Sequence, residues 1–142
     1  MSETENPIRP LGLDHVVLRV TDVATMTRFY RDVLGCTEAR MRDDIGLYHL
    51  QAGHSMIDLV DIAASAGQRG GPAPGPDGNN MDHFCIHVAD FDEASLRAHL
   101  TAHGVAVGDS MTRFGAAGDG PSLYLTDPEG NTVELKAYPE AG

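Results

Sequence analysis

The sequence contains no tryptophan, two cysteines and a single lysine, Lys136. Cys36 and Cys85 do not form a CxxC pair, and two cysteines are too few for a disulfide framework, so we expect reduced thiols in a cytoplasmic protein. No segment approaches the roughly 18 consecutive apolar residues of a membrane-spanning helix, and the polar start MSETENPIRP lacks the apolar core of a secretion signal. These absences argue against a secreted disulfide scaffold and against a membrane protein.

Positive charge is also scarce, because 10 Lys and Arg stand against 21 Asp and Glu and the formal net charge is −11. A surface this acidic repels phosphate backbones, which disfavours nucleic acid and anionic membranes as partners. The 142 residues, 42% of them hydrophobic, suit one compact domain with its own core. The sequence shows no GxSxG motif, phosphate-binding loop or dinucleotide-binding fingerprint.

The two halves of the chain repeat one unit. Two pairs of segments carry the repeat: residues 14–22 (DHVVLRVTD) with 82–90 (DHFCIHVAD), and residues 47–59 with 123–135. The second pair aligns without gaps, which makes Asp58 equivalent to Glu134 and Tyr48 equivalent to Tyr124. The segment 63–80 between the copies is rich in Gly and Pro and has the composition of a linker.

Each copy predicts the order βαβββ, and hence an α+β fold with helices on one face of the sheet. We expect leading strands near 14–20 and 82–88 and helices near 23–34 and 91–103, with Asp22 and Asp90 as N-caps. The predicted organisation is a single domain over 11–138, made of modules 11–62 and 81–138, preceded by a flexible tail over residues 1–10.

Strand alternation predicts ionisable side chains on the sheet face opposite the helices. That face would carry His15, Arg19, Asp58, His83, Cys85, His87 and Glu134. Ionisable groups buried without partners are costly, so they need a polar cavity, a metal or each other. The other histidines (His49, His54, His99 and His103) are expected to be surface or partly packed residues, and Cys85 a small buried hydrophobe.

Two histidines with one or two carboxylates form a ligand set for a divalent transition metal: Fe, Ni, Mn, Co or Zn. We predict His15, His83 and Glu134 as ligands, and Asp58 as either a fourth ligand or a mobile base. Such a metal could polarise a carbonyl or hold an enediolate while Glu134 or Asp58, the candidate catalytic carboxylates, moves a proton.

These motifs carry a family resemblance. The paired DHxxxxV strands, the ending TDPEGNTVEL and the duplicated βαβββ order resemble the vicinal oxygen chelate superfamily over residues 11–138. That superfamily includes glyoxalase I, fosfomycin-modifying enzymes, methylmalonyl-CoA epimerase, extradiol dioxygenases and bleomycin-binding proteins. The resemblance implies two modules forming curled mixed sheets around a shared cavity, metal ligation by His15, His83 and Glu134, and a homodimer. The fourth ligand, usually Glu in glyoxalase I, is here Asp58.

Glyoxalase I suggests a further comparison. Arg19, four residues after the first ligand, matches an Arg that pairs with a glutathione carboxylate in glyoxalase I. Ile62 stands where that enzyme usually has Asn, and this departure, like Asp58, speaks against lactoylglutathione lyase activity. Arg19 by itself therefore indicates only an anionic substrate, and His87, at the equivalent position of the second copy, is a second candidate substrate-binding residue.

The sequence thus predicts a metal-dependent, glyoxalase-like lyase or isomerase that acts on a small anionic, oxygen-bearing metabolite. One alternative is a non-enzymatic drug-binding protein of the bleomycin-resistance type, which needs no metal. Another is an extradiol-type Fe(II) dioxygenase, which uses two histidines and one carboxylate. The linker 63–80 could be a lid, a tether or a segment exchanged between subunits.

Overall fold

The computed structural model describes residues 6–139. Residues 1–5 of the predicted flexible tail lie outside this range, and residues 6–14 have no regular secondary structure. Within the described range, no helix is long and apolar enough to cross a membrane.

The secondary structure repeats in the two halves of the chain. The first half contains β1 (His15–Val20), α1 (Val23–Arg28) continued by a π-helical segment (Phe29–Val33), β2 (Thr37–Arg42), β3 (Leu47–Ala52) and β4 (Ser55–Asp61). A short 3-10 turn (Ser65–Gly67) follows in the linker, and the second half contains β5 (Phe84–Val88), α2 (Glu93–Ala102), β6 (Met111–Gly115), β7 (Gly118–Thr126) and β8 (Thr132–Ala137).

Each half forms an open four-stranded mixed sheet, with strand orders β1-β4-β3-β2 and β5-β8-β7-β6. The leading strand pairs in parallel with the last strand of its module, and the other pairs are antiparallel. The predicted α+β fold with two βαβββ modules is therefore confirmed. The parallel pairing places His15 beside the strand of Asp58, and His83 beside the strand of Glu134.

The helix starts differ in how well the sequence predicts them. Asp22 caps α1 as expected, since its side chain accepts a hydrogen bond from the Thr25 amide. The predicted cap Asp90 is wrong: Asp92 caps α2 by accepting from the Ser95 amide. Asp90 instead adopts a left-handed conformation (φ 51°) in the turn before the helix, a conformation that Asp tolerates better than most residues.

One core serves both modules. It joins buried apolar side chains of the first module (Leu18, Val20, Met26, Tyr30, Leu50 and Leu59) to those of the second (Leu100, Leu125, Val133 and Leu135). Tyr30 crosses between the modules, stacking on Phe84 at 6.5 Å between ring centroids and donating its buried hydroxyl to Asp127 Oδ2 at 2.7 Å. Glu129 of the second module accepts hydrogen bonds from the backbone amides of Thr21 and Asp22. The helix-side faces of both sheets therefore share one interior, and the ionisable faces lie away from it.

The strand register corrects the ungapped alignment of the repeat. Asp58 lies opposite His49, whereas Glu134 lies opposite Tyr124. The difference arises because the β3–β4 hairpin closes at the pair Ala52–Ser55, while the β7–β8 hairpin closes at Thr126–Thr132 with a longer loop. The repeat equivalent of Tyr124 is thus His49, and Tyr48 is not equivalent to Tyr124.

Candidate metal site

The first module brings His15, Asp58 and His49 together. His15 begins β1, and its Nδ1 lies 2.8 Å from Oδ2 of the preceding Asp14. Its Nε2 faces Oδ2 of Asp58 across the parallel β1–β4 pair at 4.0 Å. The buried Asp58 carboxylate is also bonded through Oδ1 to Nδ1 of His49 at 2.9 Å.

The second module repeats this arrangement more tightly. His83 directly precedes β5, and its Nδ1 lies 2.5 Å from Oδ2 of Asp82. Its Nε2 is 3.2 Å from Oε1 of Glu134. Ser122 donates its hydroxyl to Oε2 of Glu134 at 2.6 Å, and the ring of Tyr124 contacts that of His83 edge-on.

The repeated Asp-His dipeptide has a structural explanation in both modules. When Nδ1 carries the ring proton, it donates to the carboxylate of Asp14 or Asp82 and leaves the lone pair of Nε2 directed at the sheet. Carboxylates that hold the second nitrogen of a metal-binding histidine in this way fix its tautomer and ring orientation. The hydrogen bond to Asp14, aided by the charge of Asp58, raises the pKa of His15 above its ordinary value. A metal would therefore compete with a proton for Nε2 at acidic pH.

Glu134 is held in its charged form despite being buried. Burial alone raises the pKa of its carboxyl, but the hydrogen bonds from Ser122 and Tyr124 and the interaction with His83 outweigh it, so the pKa lies below its ordinary value. The same contact has the opposite effect on Tyr124, whose pKa is raised by burial and by the carboxylate. Glu134 is thus an anionic oxygen donor close to an available imidazole nitrogen.

The four predicted ligands form two pairs within one chain. His15 lies with Asp58 on the first sheet and His83 with Glu134 on the second. Over residues 6–139, no group of three or more His, Cys, Asp and Glu side chains is arranged to hold a metal ion. The donor types nevertheless fit a divalent transition metal, because each pair offers an imidazole nitrogen and a buried carboxylate oxygen.

The predicted substrate-binding residues lie in different surroundings. Arg19 is turned onto the linker: its Nε and Nη2 donate to the Gly67 carbonyl, Nη2 also donates to the Gly71 carbonyl, and Nη1 donates to the Pro72 carbonyl. His87 remains exposed on the second sheet, with its ring packed edge-on against Tyr138. Cys85 is also exposed, so the expectation of a small buried hydrophobe is wrong for Cys85. The buried cysteine is Cys36, which is 3% exposed.

Two side chains that contact the carboxylates are not predicted by the sequence patterns. The sequence predicts His49 to be a surface or partly packed residue and assigns it no role, yet it bonds to Asp58, and Ser122 bonds to Glu134. The signal for His49 was the strand pairing itself: a two-residue turn after Ala52 places His49 directly across from Asp58. Ser122 is fully buried, which requires that its hydroxyl find a partner.

Comparison with known proteins agrees with this architecture. A sequence model of the Glyoxalase/Bleomycin resistance protein/Dioxygenase superfamily matches residues 12–135. The virulence protein STM3117 of Salmonella typhimurium is 28% identical over 131 residues, which cover 89% of this chain and 83% of that protein. Its crystal structure has a TM-score of 0.74 at 22% identity, covering 93% of this chain and 100% of that chain.

Two further structures show the same fold at low identity. Lactoylglutathione lyase from Agrobacterium tumefaciens has a TM-score of 0.63 at 22% identity, covering 93% of this chain and 96% of that chain. The fosfomycin resistance protein FosX from Mesorhizobium loti has a TM-score of 0.64 at 17% identity, covering 92% of this chain and 95% of that chain. The resemblance to the vicinal oxygen chelate superfamily is thereby confirmed. With the match spanning most of its length, the chain belongs to the Glyoxalase/Bleomycin resistance protein/Dioxygenase superfamily.

Proposed function

We propose that this protein is a divalent-metal-dependent enzyme of the glyoxalase-like type. The observation that carries the proposal is the duplicated pair: in each module an Asp-held histidine directs Nε2 at a buried strand carboxylate. A protein that only sequestered an apolar drug would have no need for two such pairs. The proposed reaction is a lyase or isomerase reaction on a small anionic metabolite with two vicinal oxygen atoms.

We propose that the complete site forms between two copies of this chain. The ionisable faces of both sheets lie away from the shared core, so the two pairs of one chain do not meet across it. A second chain could supply the complementary pair, placing His15 and Asp58 of one chain opposite His83 and Glu134 of another. Apolar side chains exposed on or beside these faces, Val17 (41%), Met111 (50%) and Tyr138 (58%), would then be covered.

The side chains suggest different roles for the two carboxylates. Glu134, with its lowered pKa and its close histidine, suits permanent ligation beside His15 and His83. Asp58 is one methylene shorter, lies 4.0 Å from its histidine and is already bonded to His49, which suits a base that moves a proton. A bound metal would supply Lewis acidity to polarise a substrate carbonyl and stabilise the negative charge that develops on its oxygen.

Elemental analysis of protein purified without chelators tests this proposal. We expect about one divalent metal ion per chain in the wild type and its loss in the variants His15→Ala and His83→Ala, which remove one ligand from each module. His54→Ala, which removes an exposed histidine in the β3–β4 turn, is the matched control and should keep the metal. A wild-type protein that takes up no Ni, Fe, Mn, Co or Zn in titrations would favour the ligand-binding alternative.

One observation favours a second candidate, the extradiol-type dioxygenase. If His49 keeps Asp58 out of coordination, His15, His83 and Glu134 remain as two histidines and one carboxylate, the set that non-haem Fe(II) oxygenases use with open positions. Oxygen uptake by the Fe(II)-loaded protein with a catechol distinguishes the two. Catechol-dependent oxygen uptake would favour the dioxygenase and rule out the lyase or isomerase proposal. No oxygen uptake by a protein that holds stoichiometric metal would support the lyase or isomerase proposal.

A further inference from the structure

The anionic substrate needs a cation in the site, and Arg19 is poorly placed to provide it. All three of its guanidinium nitrogens donate to linker carbonyls, and a Cβ at Gly70 would come within 3.2 Å of Nη1. The linker is therefore fitted around this side chain. Binding a substrate anion through Arg19 would require several of these hydrogen bonds to break first.

Arg113 occupies a more open position on the second sheet. It lies on β6 opposite Gly120, on the same sheet face as Tyr124 and Glu134. Its guanidinium carbon is 5.9 Å from the ring centroid of Tyr124, the residue directly across from Glu134 in the β7–β8 pair. Its Nη2 makes a weak hydrogen bond to the sulfur of Met111 at 3.2 Å, and its charge also acts on the Tyr124 hydroxyl.

A second cation lies beneath the same face. Lys136, two residues after Glu134 on β8, is 2% exposed and donates from Nζ to the Gly118 carbonyl at 2.8 Å. The Lys136 side chain packs closely against two glycines of the neighbouring strands. A Cβ at Gly115 would lie 3.3 Å from it, and a Cβ at Gly120 would lie 3.2 Å from it. The equivalent position in the first module is Val60, so the fold itself does not require a charge here.

Neither cation forms an ion pair with a described carboxylate. Within residues 6–139, Arg31, Arg42 and Arg97 pair with carboxylates, whereas neither Arg113 nor Lys136 forms an ion pair within 4.0 Å. The side chain of Asp119, next to Gly120, belongs to the opposite face of the sheet. A buried ammonium without an ion-pair partner costs free energy, which an anionic group of a ligand could offset.

We propose that Arg113 and Lys136 form an oxyanion subsite that binds the carboxylate, phosphonate or phosphate group of the substrate. This inference rests on the proposed function, because it places the anionic group of the substrate beside the Glu134 half of the metal site. Arg113 makes the direct contact, since its planar guanidinium is exposed and can bind two oxygens at once. Lys136 adds positive potential from below, and Tyr124 orients Arg113 by the cation–π contact.

The test compares the binding of phosphonoacetate and acetate by isothermal titration calorimetry, with and without added Mn²⁺. We expect the wild type to bind phosphonoacetate more tightly, and Arg113→Met to weaken that binding about tenfold or more, as for the loss of a charge-assisted hydrogen bond. Lys136→Met should weaken it by a smaller factor. Arg28→Met, which removes one exposed charge from α1, should change it less than about twofold.

Equal affinity of the wild type and Arg113→Met, or an equal loss in Arg28→Met, would overturn the subsite. Metal content measured on the same samples separates this inference from the proposed function. If the wild type takes up no metal, the proposed function fails, while the comparison of wild type and Arg113→Met on metal-free protein still decides the subsite.

Discussion

The two modules share one fold but surround their carboxylates with different chemistry. In the second module, Glu134 lies 3.2 Å from His83, accepts a hydrogen bond from Ser122 and lies opposite Tyr124. In the first, Asp58 lies 4.0 Å from His15 and is held by His49. The scaffold repeats because each strand must bury one face on a helix, a constraint that leaves the opposite face free to vary. A duplicated fold can thus assign ligation to one half and proton transfer to the other.

Removing the two carboxylates gives the largest expected difference between the modules. Glu134→Gln should weaken the binding of Mn²⁺ or Zn²⁺ by about 100-fold or more, because it replaces a charged ligand by a neutral amide. Asp58→Asn should weaken it less while reducing turnover more. Metal titration with a competing chelator checks this, with Asp119→Asn, an exposed acid on β7, as the control. Equal losses in both variants would make Asp58 a full ligand.

The junction between the modules gives the next largest effect. Tyr30→Phe removes a buried hydroxyl that donates to Asp127, and should lower the free energy of unfolding by about 1.5–3 kcal/mol. Tyr48→Phe removes a hydroxyl that donates to the exposed Asp43, and should cost well under about 1 kcal/mol. Urea unfolding of both variants measures the difference. If the two losses match, the Tyr30–Asp127 bond does not join the modules as described.

His49 and Tyr124 occupy equivalent positions in the two modules. Substitutions of His49 test what its hydrogen bond to Asp58 contributes. His49→Phe should reduce metal affinity or turnover about tenfold, because Asp58 loses the partner that orients it. His49→Asn, which keeps a hydrogen-bond donor near the carboxylate, should recover part of the loss. If metal affinity falls and KM is unchanged, His49 acts through the ligands; a change in KM alone would show contact with substrate instead.

The helix caps give the smallest expected difference. Asp92→Ala should destabilise the protein by about 1 kcal/mol, because α2 loses the side chain that accepts from the Ser95 amide. Asp90→Gly should be neutral or stabilising, since glycine adopts a left-handed conformation without strain. Thermal unfolding of both variants decides between them. If Asp90→Gly lowers the stability more than Asp92→Ala does, Asp90 would be the cap, as the sequence predicts.

The features that could be predicted from the sequence are those that follow from local residue patterns, namely strand faces and the internal repeat. Alternation in DHVVLRV and DHFCIHV placed His15 and Cys85 on the ionisable faces, and the repeat identified Asp58 as the counterpart of Glu134. The contacts of Arg19 could not be predicted in this way, because its partners, Gly67 to Pro72, are about fifty residues away along the chain. The role of His49 depended on the length of one hairpin turn, which an ungapped alignment hides.

Mixing two inactive variants tests the central claim most directly. One variant carries His15→Ala and Asp58→Asn, and the other carries His83→Ala and Glu134→Gln. If each site takes one pair from each of two chains, neither variant alone binds metal, yet the mixed dimer regains one intact site and about one metal ion per two chains. If the two variants are refolded together, are folded and dimeric, and still bind no metal, that result would contradict a site shared between chains.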